Sequence, residues 1–241
     1  MAKIQRGEKA AKEAADRARH LQSLKVAKAL RRNEPILIRY EAVKEDLPKI
    51  LIVCEGKNTE PSYFEQFKLA SAKIVVLGKG NNTISLVKQA QQLNEKDDYA
   101  QVWCVFDRDD FPAQDFNNAI AMADSSGFGV AYSNQSFEYW LILHFDDHQG
   151  GGMARTDYHD KLNDLLSPFG AEYAGKDSKV VTQDIFDLTL EIIDEETGKR
   201  RLDLAIERAE RNYNHFDHDN PAQEESSTAV FRLARELLKH T

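Results

Sequence analysis

Three acidic residues occupy positions from which side chains in α/β proteins do chemistry. Glu55 follows the apolar run Ile50-Leu51-Ile52-Val53-Cys54, and Asp107 and Asp109 follow Val102-Trp103-Cys104-Val105-Phe106. Both runs read as strands, so each acid sits at a strand's C-terminal end, the edge where open parallel sheets bind ligands. If strand geometry continues, Asp107 and Asp109 are two apart and point to one face. Three carboxylates held together repel one another and resist ionisation unless a divalent cation neutralises them. Hard oxygen donors suit Mg²⁺ or Mn²⁺, and metal-bound water is suited to phosphodiester cleavage. A lone Asp-x-Asp also opens many ordinary loops; two acidic strand ends in one unit are the stronger signal.

Other groups at the same edge extend this set. Glu60 lies near the start of the next helix, where it either complements the helix dipole or binds metal. Glu138 stands amid Phe137, Tyr139, Trp140 and Leu141, so it needs a partner if buried; a second metal or support of the first is expected there. Lys57, Lys79 and Arg108 lie in loops at this edge, where phosphate contact and plain solvation weigh equally. Gly78-Lys79-Gly80-Asn81-Asn82 lacks a full phosphate-loop pattern and reads as a tight turn. His215-Phe216-Asp217-His218-Asp219 has no further Cys or His to complete a zinc site. His144 reads as a satisfied, partly buried residue, and Cys54 and Cys104 as inert core thiols.

The elements that position these groups follow from periodicity. Ile74-Val75-Val76-Leu77 and Gly129-Val130-Ala131-Tyr132 add two strands to those already named. Their continuous apolarity implies cover on both faces, as in a parallel sheet between helices. Helical patterns fall at 61–69, at 84–93 with Thr83 as cap, and at 113–124 and 136–145. The alternation over 50–145 indicates a doubly wound, mostly parallel α/β sheet. After Gly150-Gly151-Gly152, amphipathic helices are expected at 158–166, 182–193, 199–212 and 226–239. No credible strand separates them, and they either pack on the sheet or form a small subdomain. The domains expected are a basic helical arm (1–48), an α/β core (49–149) and a helical extension (150–241).

Charge divides the chain unevenly. Residues 1–49 carry 13 Lys and Arg against 7 Asp and Glu; the remainder carries 19 against 33. The arm reads as a solvated helix broken near Asn33-Glu34-Pro35, or as a phosphate-seeking, salt-sensitive segment. No apolar stretch is long enough to span a bilayer, and the first residues lack the apolar core of a secretory signal. Two cysteines make no disulfide framework, so a reducing, cytoplasmic setting is expected.

Three blocks carry a family resemblance. Ile52-Val53-Cys54-Glu55-Gly56-Lys57-Asn58-Thr59-Glu60-Pro61-Ser62-Tyr63-Phe64 is the first, and Trp103-Cys104-Val105-Phe106-Asp107-Arg108-Asp109-Asp110-Phe111 the second. The third runs from Tyr132-Ser133-Asn134-Gln135-Ser136-Phe137-Glu138 through Trp140 to Phe145. In this order they resemble the RloB-like proteins, with a weaker match at Asn220-Pro221 and Ser227-Thr228-Ala229-Val230. Gln135 stands where that family often has proline, and an insertion separates the last two motifs; neither touches a proposed ligand.

The resemblance implies a TOPRIM-like, Mg²⁺-dependent nuclease associated with bacterial anti-phage defence and abortive infection, often encoded beside an ATPase partner. By that likeness Glu55 is the general acid/base or a metal ligand, and Asp107 and Asp109 hold Mg²⁺ (or Mn²⁺). The acidic surface opposes generic duplex binding, so RNA such as tRNA is favoured over DNA; self-association is left open. The alternative is a non-catalytic subunit of an ATPase-containing complex. A haloacid-dehalogenase-like phosphatase is disfavoured, because no Gly-Asp dipeptide occurs anywhere in the chain.

Overall fold

The computed structural model describes residues 15–26, 47–78, 83–109, 112–149, 151–173 and 179–241. The chain forms two units, 1–45 and 46–241. In the first, α1 (15–26) is helical with every side chain exposed, including Leu21, Leu24 and Val26.

The second unit is built on a sheet of β1 (Lys49–Cys54), β2 (Lys73–Gly78), β3 (Gln101–Asp107), β4 (Gly129–Asn134) and β5 (Ser227–Thr228). Its order is β2-β1-β3-β4-β5. The first four strands are parallel, and β5 runs antiparallel to β4, pairing Thr228 with Ser133 and Ser227 with Asn134. Parallel neighbours require crossovers. These are α2 (Thr59–Phe64), α3 (Thr83–Asn94) and α4 (Ala113–Ser125). The chain passes from β1 out to β2, then returns across β1 to β3. The winding therefore reverses between β1 and β3, and the crevice at that switch is where such sheets bind ligands.

Both faces of the sheet are buried, the physical reason for the unbroken apolar runs. Ile50, Ile52, Cys54, Val105 and Ala131 face a large core shared with α2 and the C-terminal helices. Leu51, Val53, Val102, Cys104, Phe106 and Val130 face α3 and α4. The C-terminal helices are α5 (Phe137–Ile142), α6 (Arg155–Leu166), α7 (Gln183–Leu190), α8 (Arg201–Tyr213) and α9 (Val230–Leu238). They pack on the sheet within one compact unit.

Three expectations need correction. A strand, β5, lies within the segment read as helical: Ser227 and Thr228 close the sheet edge, and α9 begins only at Val230. Two residues are too few to show a period. The helix expected over 61–69 is the six-residue α2, which gives way to a turn at Glu65. β2 is only partly buried, because it forms the other edge.

Candidate acidic site at the sheet's switch point

Glu55 and Asp107, at the ends of adjacent strands, meet across the switch point. The Asp107 backbone N–H donates to Glu55 Oε2 at 3.3 Å, and Thr83, the first residue of α3, donates its hydroxyl to Oε1 at 3.3 Å. Burial raises the Glu55 carboxyl to about 7 in spite of those donors and the nearby positive charge of Arg155. Asp107 is only 6% exposed. Its Oδ2 accepts the Phe137 N–H at 3.2 Å from the start of α5, while its buried Oδ1 accepts no hydrogen bond. Burial, and then the charges of Glu60 and Glu138, push its pKa well above the usual carboxylate range.

Glu60 and Glu138 complete an acidic pocket. Glu60 is 5% exposed and Glu138 3%. Glu60 is raised by burial and by Glu138, partly offset by the backbone N–H groups of Glu60 and Gly56. Its carboxylate lies where a Cβ on residue 56 would stand, so a side chain there would displace it. Gly56→Ala should therefore destabilise the fold by about 1–3 kcal/mol in chemical denaturation, because the Glu60 carboxylate must leave its donors. An unchanged midpoint would mean that the pocket yields freely. Glu138 accepts from Lys179 Nζ at 3.2 Å and from the Tyr173 hydroxyl at 3.2 Å. Tyr173 in turn lies 2.7 Å from Thr59 Oγ1.

Asp109 arrives by a different route than strand geometry implies. β3 ends at Asp107, and Asp109 sits in a turn with φ of 33°. That left-handed backbone suits Asp better than most residues. The two aspartates still converge, because the Arg155 guanidinium ion-pairs with both, 3.8 Å from Asp107 Oδ2 and in direct contact with Asp109 Oδ1.

The basic residues expected at this edge are not seen to reach the acids. Lys57 is exposed, and Lys79 lies outside the described residues. Arg108 donates to the carbonyls of Ala222 and Asp109, holding the loop after β3 onto the C-terminal segment. Among the described residues, Arg155 and Lys179 are the cations paired with these acids, and neither belongs to a motif. The available signal was subtle: Arg155 is the first residue of α6, where the helix dipole disfavours a cation and an outside acid must hold it.

The remaining groups serve the core. His218 Nδ1 lies 3.0 Å from Glu224, and its ring stacks on Tyr213. His144 is fully buried, and burial raises the thiols, Cys104 to about 12.

Among the described residues, no three His, Cys, Asp or Glu side chains are gathered closely enough to hold a metal ion. The donor chemistry nonetheless fits a hard divalent cation. Asp107 Oδ1 is buried without a partner, and Asp107 and Glu60 are held back from ionising first by burial and then by neighbouring carboxylates. The protein's own cations lie against these acids, Arg155 on the aspartates and Lys179 on Glu138.

A mostly parallel sheet flanked by helices, with buried acids at its switch point, defines an α/β protein whose candidate site lies at the carboxyl ends of β1 and β3. The family model described as RloB-like protein matches residues 50–237, and the chain belongs to that family. Neither a curated protein nor a solved structure matches it. No described helix is long and apolar enough to cross a membrane.

Proposed function

We propose that this protein is a metal-dependent nuclease of the TOPRIM type that hydrolyses phosphodiesters in nucleic acid. The supporting observation is the buried meeting of Glu55 and Asp107 at the switch point, with Asp107 Oδ1 unpartnered and Glu60 and Glu138 beside it. Asp107 and Asp109 would hold Mg²⁺ or Mn²⁺, with Glu60 and Glu138 as further oxygen donors. Such an ion supplies Lewis acidity and lowers the pKa of bound water.

The other roles belong to the chain itself. Glu55, with a carboxyl near 7, is suited to taking or giving a proton at the reacting oxygen at neutral pH. Thr83 and the Asp107 N–H orient it, while Tyr173 and Lys179 orient Glu138. RNA is the favoured substrate, since 33 acids against 19 basic residues beyond residue 49 repel long duplexes. The family likeness is the ground for proposing an effector of anti-phage defence working beside an ATPase, and the lack of a disulfide framework the ground for proposing the cytoplasm.

The test is cleavage of RNA and DNA panels with Mg²⁺ or Mn²⁺. Glu55→Gln, which keeps shape but cannot exchange the proton, should lower the rate by about 10²–10⁴-fold with little change in fold. Full activity in Glu55→Gln would remove Glu55 from the chemistry. The alternative, a non-catalytic subunit of an ATPase-containing complex, has one observation in its favour: Arg155 already neutralises Asp107 and Asp109. Intact nucleic acid co-purifying with the protein, and no cation-dependent turnover with any partner, would favour it.

A further inference from the structure

Beside the acidic pocket lies a cavity of about 410 Å³ lined by Arg155, Thr156, His159, Asp160 and Lys179, within the size range of small-ligand sites. Its two cations are the residues that reach into the pocket, Arg155 to Asp107 and Asp109 and Lys179 to Glu138. Acid pocket and cavity therefore share side chains.

Arg155 is held unevenly where it stands, in direct contact with Asp109 Oδ1 but not with Asp107. Its side chain is 46% exposed, against 8% for Asp107. It opens α6, where the helix dipole opposes a cation. It approaches Asp107 only to 3.8 Å and leaves the buried Oδ1 without a donor. A small divalent ion can satisfy that oxygen; a guanidinium fork better matches a phosphate, whose oxygens it binds two at a time.

We propose that Arg155 is a displaceable counter-ion: it fills the place between Asp107 and Asp109 that a divalent cation takes, and once displaced it turns into the adjoining cavity, where with Lys179 it binds a substrate phosphate. This rests on the nuclease assignment above. Among the described residues of its lining, Arg155 and Lys179 stand against one acid, Asp160. Metal entry and phosphate binding are thereby coupled through one side chain, and each favours the other.

The test is direct binding to the full chain after EDTA treatment, with melting curves to verify the fold. Mn²⁺ is titrated first, then inorganic phosphate at saturating Mn²⁺, for wild type, Arg155→Met and Arg155→Lys. Arg155→Met should bind Mn²⁺ about tenfold more tightly, having lost the competing charge, and bind phosphate about tenfold more weakly. Arg155→Lys, which keeps the charge but not the fork, should fall between the two in both titrations. Equal Mn²⁺ affinity in wild type and Arg155→Met, or unchanged phosphate affinity, overturns the proposal. If cleavage persists in that case, the nuclease assignment survives; if no protein binds Mn²⁺ at all, both fall.

Discussion

Asp107→Asn should make the protein more stable in EDTA and inactive in Mg²⁺. In the wild type, a fully buried carboxyl faces Glu60 and Glu138, and its ionisation is opposed first by desolvation and then by those charges. Asparagine keeps an oxygen to accept the Phe137 N–H, now bonded to Oδ2 at 3.2 Å. It also places an NH₂ donor beside Glu60 and Glu138, the carboxylates whose charges oppose that of Asp107. Arg155 loses one partner but keeps Asp109 and remains half exposed to water. Replacing an ill-paired buried charge by a neutral isostere should raise the unfolding free energy by about 1–3 kcal/mol. The same change removes a proposed metal ligand, so cleavage should fall by about 10³-fold or more, and Mn²⁺ should no longer raise the melting temperature as it does in wild type. A variant that melts lower than wild type in EDTA, or that cleaves normally, would mean that Asp107 is a structural acid. Opposite signs for stability and activity are expected of a group kept for function against the interest of the fold.

The second large effect is a loss of stability on mild acidification that depends on His144. This residue is completely buried. Its Nδ1 lies 3.0 Å from the Trp140 carbonyl, which can only accept, so Nδ1 carries the proton; Nε2 is left facing the Tyr63 hydroxyl at 3.5 Å. Burial, with lesser repulsion from Arg208 and Arg201, lowers the imidazolium pKa from 6.5 to about 3. Above pH 6.5 neither folded nor unfolded chain carries this proton, and stability is unaffected. Between 6.5 and about 3 the unfolded chain binds a proton that the folded chain refuses, so stability falls with pH by up to about 1.4 kcal/mol per unit. From pH 6.5 to 5 the loss is about 2 kcal/mol. The buried acids pull the other way, because a raised carboxyl retains its proton in the folded state. The readout is therefore the difference in slope between wild type and His144→Leu, in which the acids cancel. His144→Leu should start less stable at pH 7.5, lacking the bond to Trp140, yet lose less on acidification. Identical slopes would show that His144 takes up its proton in the folded state.

Much of the scaffold was legible locally. β1, β3 and β4 announce themselves as apolar runs because they are covered on both faces, and α4 and α9 because one stripe of each is buried. The ends of β1 and β3 were legible too, since a carboxylate closing an apolar run marks the edge where parallel sheets bind ligands. β5 escaped because two residues carry no period, and α2 was read too long because its apolar run, continuing to Phe67, packs in the core after the helix has ended.

Within the site, the division falls along sequence distance. The residue order alone determined that Glu55, Asp107 and Asp109 lie at strand ends, that Glu60 and Glu138 follow close behind, and that residues 50–145 alternate strand with helix. Only the tertiary structure decided that β1 and β3 are neighbours, which brings Glu55 against the backbone of a residue 52 positions away. It alone showed that β3 stops at Asp107 and that a turn carries Asp109 back to Arg155. It also brought Lys179 to Glu138, 41 residues before it. Strands and caps are set by contacts within a few residues, which composition and spacing record. Counter-ions for a buried acid are set by whichever cation the packing delivers, and no local pattern marks that residue in advance.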